Sequence, residues 1–277
     1  TMENYPMYYE ASYRIADLRQ KAFELDDYEK VASLLPSKLQ NSMNYLYFKS
    51  MHEAGKSSIS DLSHYIPFLL YFFSLVGAGW YIFISFYTSS ILLDDFEHSS
   101  IIKGFPVRFD QYILSKCIIA LLYVLGFIAL IFISAVPLLF NNLGDVSEQV
   151  KVYLGEPTLI SSMHYIILCI GYMLIISIFV MLLSIILNVL LKNMYLTLFV
   201  HFILFFLPVI FPSLISLFPY NPFHFMNFNE ILNGMPVDLA RPVDITMNTG
   251  VIIMVVCILL MLFVIKTFFS TGKIKRA

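Results

Sequence analysis

The densest group of reactive side chains is Asp94-Asp95-Phe96-Glu97-His98, three carboxylates and an imidazole within five residues. On a helix, Asp94, Glu97 and His98 share one face, because positions three and four apart are neighbours. Carboxylate oxygens so placed suit Mg²⁺, and Mg²⁺ at a membrane edge would suit a phosphate-bearing lipid. A lipid-modifying enzyme of the aspartate-rich kind needs a second acidic cluster at fixed spacing, and the sequence offers none on the same side of the membrane, so no metal site is expected. His-Glu-x-x-His, Gly-x-Ser-x-Gly and the Gly-x-x-x-x-Gly-Lys-Ser/Thr phosphate loop are all absent. The chain is therefore not expected to be an enzyme, and any ATP must be hydrolysed by another chain. Two further polar groups, Asn188 and His201, fall inside apolar runs. Such groups are costly in lipid, so they either line a substrate path or bond a neighbouring helix. Cys117, Cys169 and Cys257 all lie in apolar stretches, which suggests neither a disulfide framework nor a zinc site.

The elements that must position these groups follow from composition. Of 277 residues, 59% are hydrophobic and 13% charged, with a net charge of -2. The mean hydropathy is +0.78. A soluble domain usually carries about twice that charged fraction, and a chain without basic excess is not expected to bind nucleic acid. Long apolar runs at 65–93, 113–140, 165–191, 194–218 and 250–269 are each long enough, at a rise of about 1.5 Å per residue, to approach or exceed the hydrocarbon thickness of a bilayer. They lack the alternation of barrel strands, and lipid admits no open sheet edge, so the fold class is all-α: a polytopic helical membrane bundle. Tyr65, Tyr112, Tyr165, Tyr195 and Tyr220 fall near span ends, where amphipathic rings meet membrane lipids.

Orientation follows from the connections. Lys103, Arg108 and Lys116 lie between the first two spans, Lys192 between the third and fourth, and Lys266, Lys273, Lys275 and Arg276 in the tail. These segments are expected in the cytoplasm. The connections bearing Asp145, Glu148 and Glu156, and Glu230, Asp238 and Asp244, are expected outside. That alternation places residues 1–62 outside as well, as a small helical segment, with amphipathic helix over 9–35, a break near Pro36 and a second helix over 38–53. Carrying a polar segment of this size across a membrane calls for a preceding helix, so a further span upstream of Thr1 is expected.

The stretch Asp95-Phe96-Glu97-His98-Ser99-Ser100-Ile101-Ile102-Lys103-Gly104-Phe105-Pro106-Val107-Arg108, followed by Lys116, resembles the coupling region of ABC-2 type transporter permeases. In that family an acidic residue at a helix end leads to a hydroxyl residue, a short apolar turn, Pro-x-Arg, and a Lys opening the next helix. Asp95, Glu97, Ser99, Ile101, Ile102, Phe105, Pro106, Arg108 and Lys116 are the positions the resemblance implies for contact with an ATPase. The physics agrees with that role. A serine can cap a short helix, Gly104 and Pro106 break it, and Ile101, Ile102 and Phe105 form an apolar knob that a groove on a soluble partner could grip. A loop lying in the lipid interface, with Lys103 and Arg108 at headgroups, is the alternative. The segment Pro219-Tyr220-Asn221-Pro222-Phe223 is similar to the external re-entrant hairpin of the same family, a Pro-rich surface loop being the alternative.

The resemblance implies a membrane permease subunit of an ATP-driven exporter in the cell membrane, paired with a second permease copy or a related one. Cytoplasmic ABC ATPase subunits would carry the ATP and Mg. The cargo would be amphipathic: a peptide, an antibiotic or a lipid-like molecule. Residues 63–277 would form the transmembrane domain, with coupling loop 94–116 and external loop 219–249. A membrane-embedded lipid-modifying enzyme using Asp94, Asp95 and Glu97 with Mg, and a membrane immunity or sensor protein without transport, are the two alternative expectations.

Overall fold

The computed structural model describes residues 5–25, 36–56, 62–93, 95, 109–140, 142–144, 149–211, 218, 220–235 and 245–270. In chain order these form α1 (Tyr5–Ala22), α2 (Lys38–Glu53), α3 (Tyr65–Thr88) and α4 (Phe109–Ala135), the last tightening into a 3₁₀ segment over Val136–Phe140. A hairpin of β1 (Gln149–Tyr153) and β2 (Pro157–Ser161) follows, then α5 (Ser162–Leu191) and α6 (Met194–Ile210). A 3₁₀ turn at Pro222–Phe225, the short α7 (Phe228–Leu232) and α8 (Met247–Ser270) complete the order.

Four segments, Tyr65–Thr88, Gln111–Phe140, Ser162–Leu191 and Met247–Thr267, are long and apolar enough to cross a membrane. The protein is a membrane-embedded, all-α polytopic chain with one small hairpin among its described residues. The expected span 194–218 is helical over Met194–Ile210, with 212–217 outside the described residues. Pro208 sits in the last turn of this helix, where it can donate no bond to the turn before, and the helix stops soon after. The first span also ends early, at Thr88 instead of residue 93, for a reason that lies in the polar site described below.

Backbone contacts divide the chain into two compact units. The first comprises Thr1–Leu75, Ser134–Cys169 and Phe228–Asn248. It joins the N-terminal segment to the two other connections expected on the same side of the membrane. Ser37 caps α2 by accepting from the Gln40 N–H at 3.0 Å. Tyr9, Ala16 and Phe23 of the α1 region are buried, as are Met43 and Met51 of α2, and Asn41 donates its amide to the Ala16 carbonyl at 2.9 Å. The hairpin bonds to α2: Ser50 donates to the Gln149 side chain at 2.6 Å, and Lys151 donates to Asn44 Oδ1 at 2.6 Å. Burial pushes the Lys151 ammonium below its ordinary range. Gly155 turns the hairpin at φ 107, a conformation that a side chain would strain. Gly234, after α7, has φ 69, and a Cβ there would lie 2.6 Å from Leu39 Cδ2.

The second unit comprises Val76–Ile133, Ile170–Asn227 and Thr249–Ala277. A hydrophobic cluster in it joins Leu92, Ile113, Cys117 and Ala120 to Met181, Leu182 and Ile185 of α5 and Ile265 of α8. Further along the same helices, Trp80 donates its indole N–H to the Met173 carbonyl at 2.9 Å and lies within 3.0 Å of Ser177 Oγ. Phe83 and Phe127 pack beside it with ring centroids 4.5 Å apart.

Candidate functional site

Three polar constellations lie in the second unit. The first ties the end of α3 to α5 and α6. Asn188 is wholly buried, yet each of its side-chain atoms is bonded: Nδ2 donates to the Ser89 carbonyl at 2.7 Å and to Thr197 Oγ1 at 3.3 Å, and Oδ1 accepts from the Leu92 N–H at 3.1 Å. It thus caps the peptide groups released where α3 breaks, so the helix ends at Thr88 without orphaned donors or acceptors at these two positions.

One turn along α5 and α6, Ser184 and His201 extend the polar face. His201 Nδ1 lies 2.9 Å from the Tyr81 hydroxyl, and Nε2 lies 2.9 Å from Ser184 Oγ, which is 2.8 Å from Thr88 Oγ1. Thr88 already donates its proton to the Ile84 carbonyl at 2.9 Å. Each hydroxyl has one proton, so Ser184 must donate to Thr88 and accept from His201 Nε2–H, which leaves Nδ1 of a neutral His201 to accept from Tyr81. The row runs one way, Tyr81 to His201 to Ser184 to Thr88 to the Ile84 carbonyl, and it requires a neutral His201 carrying its proton on Nε2. Phe205 stacks on the Tyr81 ring at 5.3 Å.

The second constellation stands at the foot of the segment that carries the resemblance. Lys116 Nζ donates to both Asp95 oxygens, at 2.6 and 2.5 Å, and to the Ile91 carbonyl at 3.0 Å. Tyr112 donates to Asp95 Oδ1 at 2.9 Å, and its ring lies 5.3 Å from the Lys116 ammonium. The side chains are 10% exposed for Asp95 and 25% for Lys116, so water screens this pair incompletely. It clasps the first two turns of α4 to the chain leaving α3. Both Asp95 oxygens face an ammonium, which a metal ion would have to displace. Asp94, Glu97, Ser99, Ile101, Ile102, Phe105, Pro106 and Arg108 lie outside the described residues, as does Pro219. Among the described residues no group of three or more His, Cys, Asp or Glu could hold a metal.

The third constellation is the 3₁₀ turn. Asn221 caps it by accepting from the Phe223 N–H at 3.0 Å, with Pro222 in the first position, where a missing N–H costs nothing. Phe223 lies edge-on to Tyr81 at 6.2 Å and to Phe179 at 5.9 Å, so the turn places an aromatic ring between α3 and α5. Tyr172 donates to the Phe225 carbonyl at 3.1 Å. Gly250 of α8 makes room for both: a Cβ there would stand 2.5 Å from the Tyr172 hydroxyl and 2.6 Å from Phe225 Cδ1.

Asn188 and His201 are thus brought into one polar array, and Asp95 and Lys116 into one ion pair. Tyr81, Ser89, Thr88, Ser184, Thr197 and Tyr112 were not singled out as members. A signal for them exists in spacing: Ser184 and Asn188 are four apart, as are Thr197 and His201, while Tyr81, Thr88 and Ser89 share one helical face. No family model, curated protein or solved structure matches this chain.

Proposed function

We propose that the chain is the membrane subunit of an ABC-2 type exporter, driven by ATP hydrolysis on separate cytoplasmic subunits and moving an amphipathic cargo outward. The observation that carries this reading is the Asp95–Lys116 clasp. A segment that receives a push from a soluble partner needs both of its ends fixed to membrane helices, and the clasp holds the ends of 96–108 together at α3 and α4. From there a displacement reaches α5 and α6 through the Asn188 and His201 bonds. The grouping of 1–62 with the hairpin and α7 in one unit supports a topology in which those segments share a face of the membrane. In this reading Phe223 and the Pro222 turn form the external re-entrant element, and a second permease copy or a relative completes the assembly.

The test is co-purification. The full chain, tagged and expressed in its native host, is isolated in mild detergent, and its ATPase activity is measured. The reading expects an ATP-binding chain to co-purify, with turnover falling when Ile101, Phe105 and Arg108 are replaced together. Recovery without any ATP-binding chain, or full turnover in the triple variant, overturns it. Mg²⁺-dependent conversion of a lipid, abolished by Asp94→Ala, would establish the enzyme alternative in its place.

A further inference from the structure

Helix α1 carries two apolar stripes of coiled-coil spacing on opposite faces, and the fold buries one. The inner stripe is Tyr9, Tyr13 and Ala16, at intervals of four and three, continued just past the helix end by Phe23; Tyr9, Ala16 and Phe23 are buried, and Tyr13 packs on Tyr45 of α2 at 5.5 Å. The outer stripe is Ala11, Ile15, Leu18 and Ala22, at intervals of four, three and four. At 3.6 residues per turn the two stripes lie roughly 160° apart. Ile15 is 48% exposed and Leu18 64%.

The margins of the outer stripe are cationic. Arg14 and Lys21 flank one side and Arg19 the other. Glu10 and Asp17 stand farther round the helix, paired with Arg14 and Lys21 at 2.5 and 2.8 Å. The Arg14 and Lys21 side chains are largely exposed, so water screens these two pairs, and their apolar stems run beside the stripe. The same order of cations works against a second copy of this helix: in a coiled coil the flanking positions would set Arg14 against Arg19 or Lys21.

The unit that carries α1 also contains Tyr65–Leu75 of α3, the end of α4 and the start of α5, three of the membrane-length helices. Its polar part is thereby joined to the ends of membrane-length helices. We propose that the outer face of α1 is a lipid-docking surface, with Ile15 and Leu18 in the acyl boundary and Arg14, Arg19 and Lys21 at anionic headgroups. This inference rests on the membrane fold and does not depend on the exporter reading.

The full chain, freed of its native cysteines, is placed in nanodiscs of phosphatidylcholine alone or mixed with phosphatidylglycerol. Leu18→Cys and Glu24→Cys variants carry a spin label, and accessibility to oxygen and to an aqueous nickel complex is read for each. The expected result is several-fold higher oxygen accessibility and lower nickel accessibility at Leu18 than at Glu24. Combined Arg14→Gln, Arg19→Gln and Lys21→Gln should reduce that contrast in the phosphatidylglycerol discs far more than in phosphatidylcholine. Equal aqueous accessibility at the two positions overturns the proposal. So does a Leu18 label shielded from both probes, or spin–spin coupling between copies, because a protein would then be the occupant.

Discussion

Replacing Asn188 by leucine exchanges the amide head for two methyl groups on the same branched skeleton, so hydrogen bonding is lost without opening a cavity. Three bonds are lost: those to the Ser89 carbonyl, the Leu92 N–H and Thr197 Oγ1. Interhelical bonds in membranes average about 0.6 kcal/mol and reach about 1.7, which brackets the loss between roughly 2 and 5 kcal/mol. Ser89 and Leu92 are each 1% exposed, and their peptide groups sit at the break of α3. Leaving a buried group unsatisfied costs about 1–3 kcal/mol, so the loss should fall near 3 kcal/mol, about a hundredfold in the folding equilibrium. Steric trapping in bicelles measures this unfolding free energy, with Leu190→Ala, on an exposed face of the same helix, as the control. An Asn188→Leu chain within about 0.5 kcal/mol of the parent would refute the capping role.

Asp95→Asn should cost about 1–3 kcal/mol by leaving Lys116 partly buried opposite a neutral group, and the exchanged pair Asp95→Lys with Lys116→Asp should recover part of that loss in a double-mutant cycle. Gly250→Ala should cost roughly 1–3 kcal/mol, since its methyl overlaps Tyr172 and Phe225; thermal unfolding in detergent reads the shift, and Tyr172→Phe combined with it should soften the loss. Because burial lowers the Lys151 pKa, the unfolded chain binds more protons between that depressed value and 10.5. Stability should therefore rise with pH through that window, and Lys151→Met should flatten the slope measured by hydrogen exchange of the hairpin. Nitrogen-15 spectra of the imidazole should report a neutral His201 protonated on Nε2, and Thr88→Val should release that preference by removing the acceptor that orients Ser184.

The membrane class was legible because continuous apolar length is a strong signal, and residues such as Tyr65 and Met247 open helices close to the expected span starts. Helix α2 was equally legible: Ser37 caps it after Pro36, and it ends before Gly55, which has φ 61. The hairpin was not foreseen, although Gln149-Val150-Lys151-Val152 alternates polar and apolar residues, because each strand is only five residues long and Val152 and Tyr153 break the alternation. Its Leu154-Gly155-Glu156 turn was the available clue. Asn188 and His201 were found as chemical outliers, whereas Ser184 and Thr88 are unremarkable in apolar helices and gain their roles from partners far along the chain. The clasp was half visible: Asp95 and Lys116 were marked for an outside partner, and packing joins them to each other, with Tyr112 as the third member.

The first unit closes late in synthesis. Its last segment, Phe228–Asn248, follows α1 and α2 by most of the chain. At about 5–20 residues per second, the two N-terminal helices wait on the order of ten to forty seconds between their own completion and that of the unit. For the early part of that interval Asn44 and Ser50 of α2 have no hairpin to bond, and the face that will take it stands open to chaperones and proteases. Codon choice and insertion rate across the intervening membrane helices thus bear on the fate of a polar segment that was translated long before them. Residues 1–62 expressed alone would be a piece of that unfinished unit, with its neighbours still to be made.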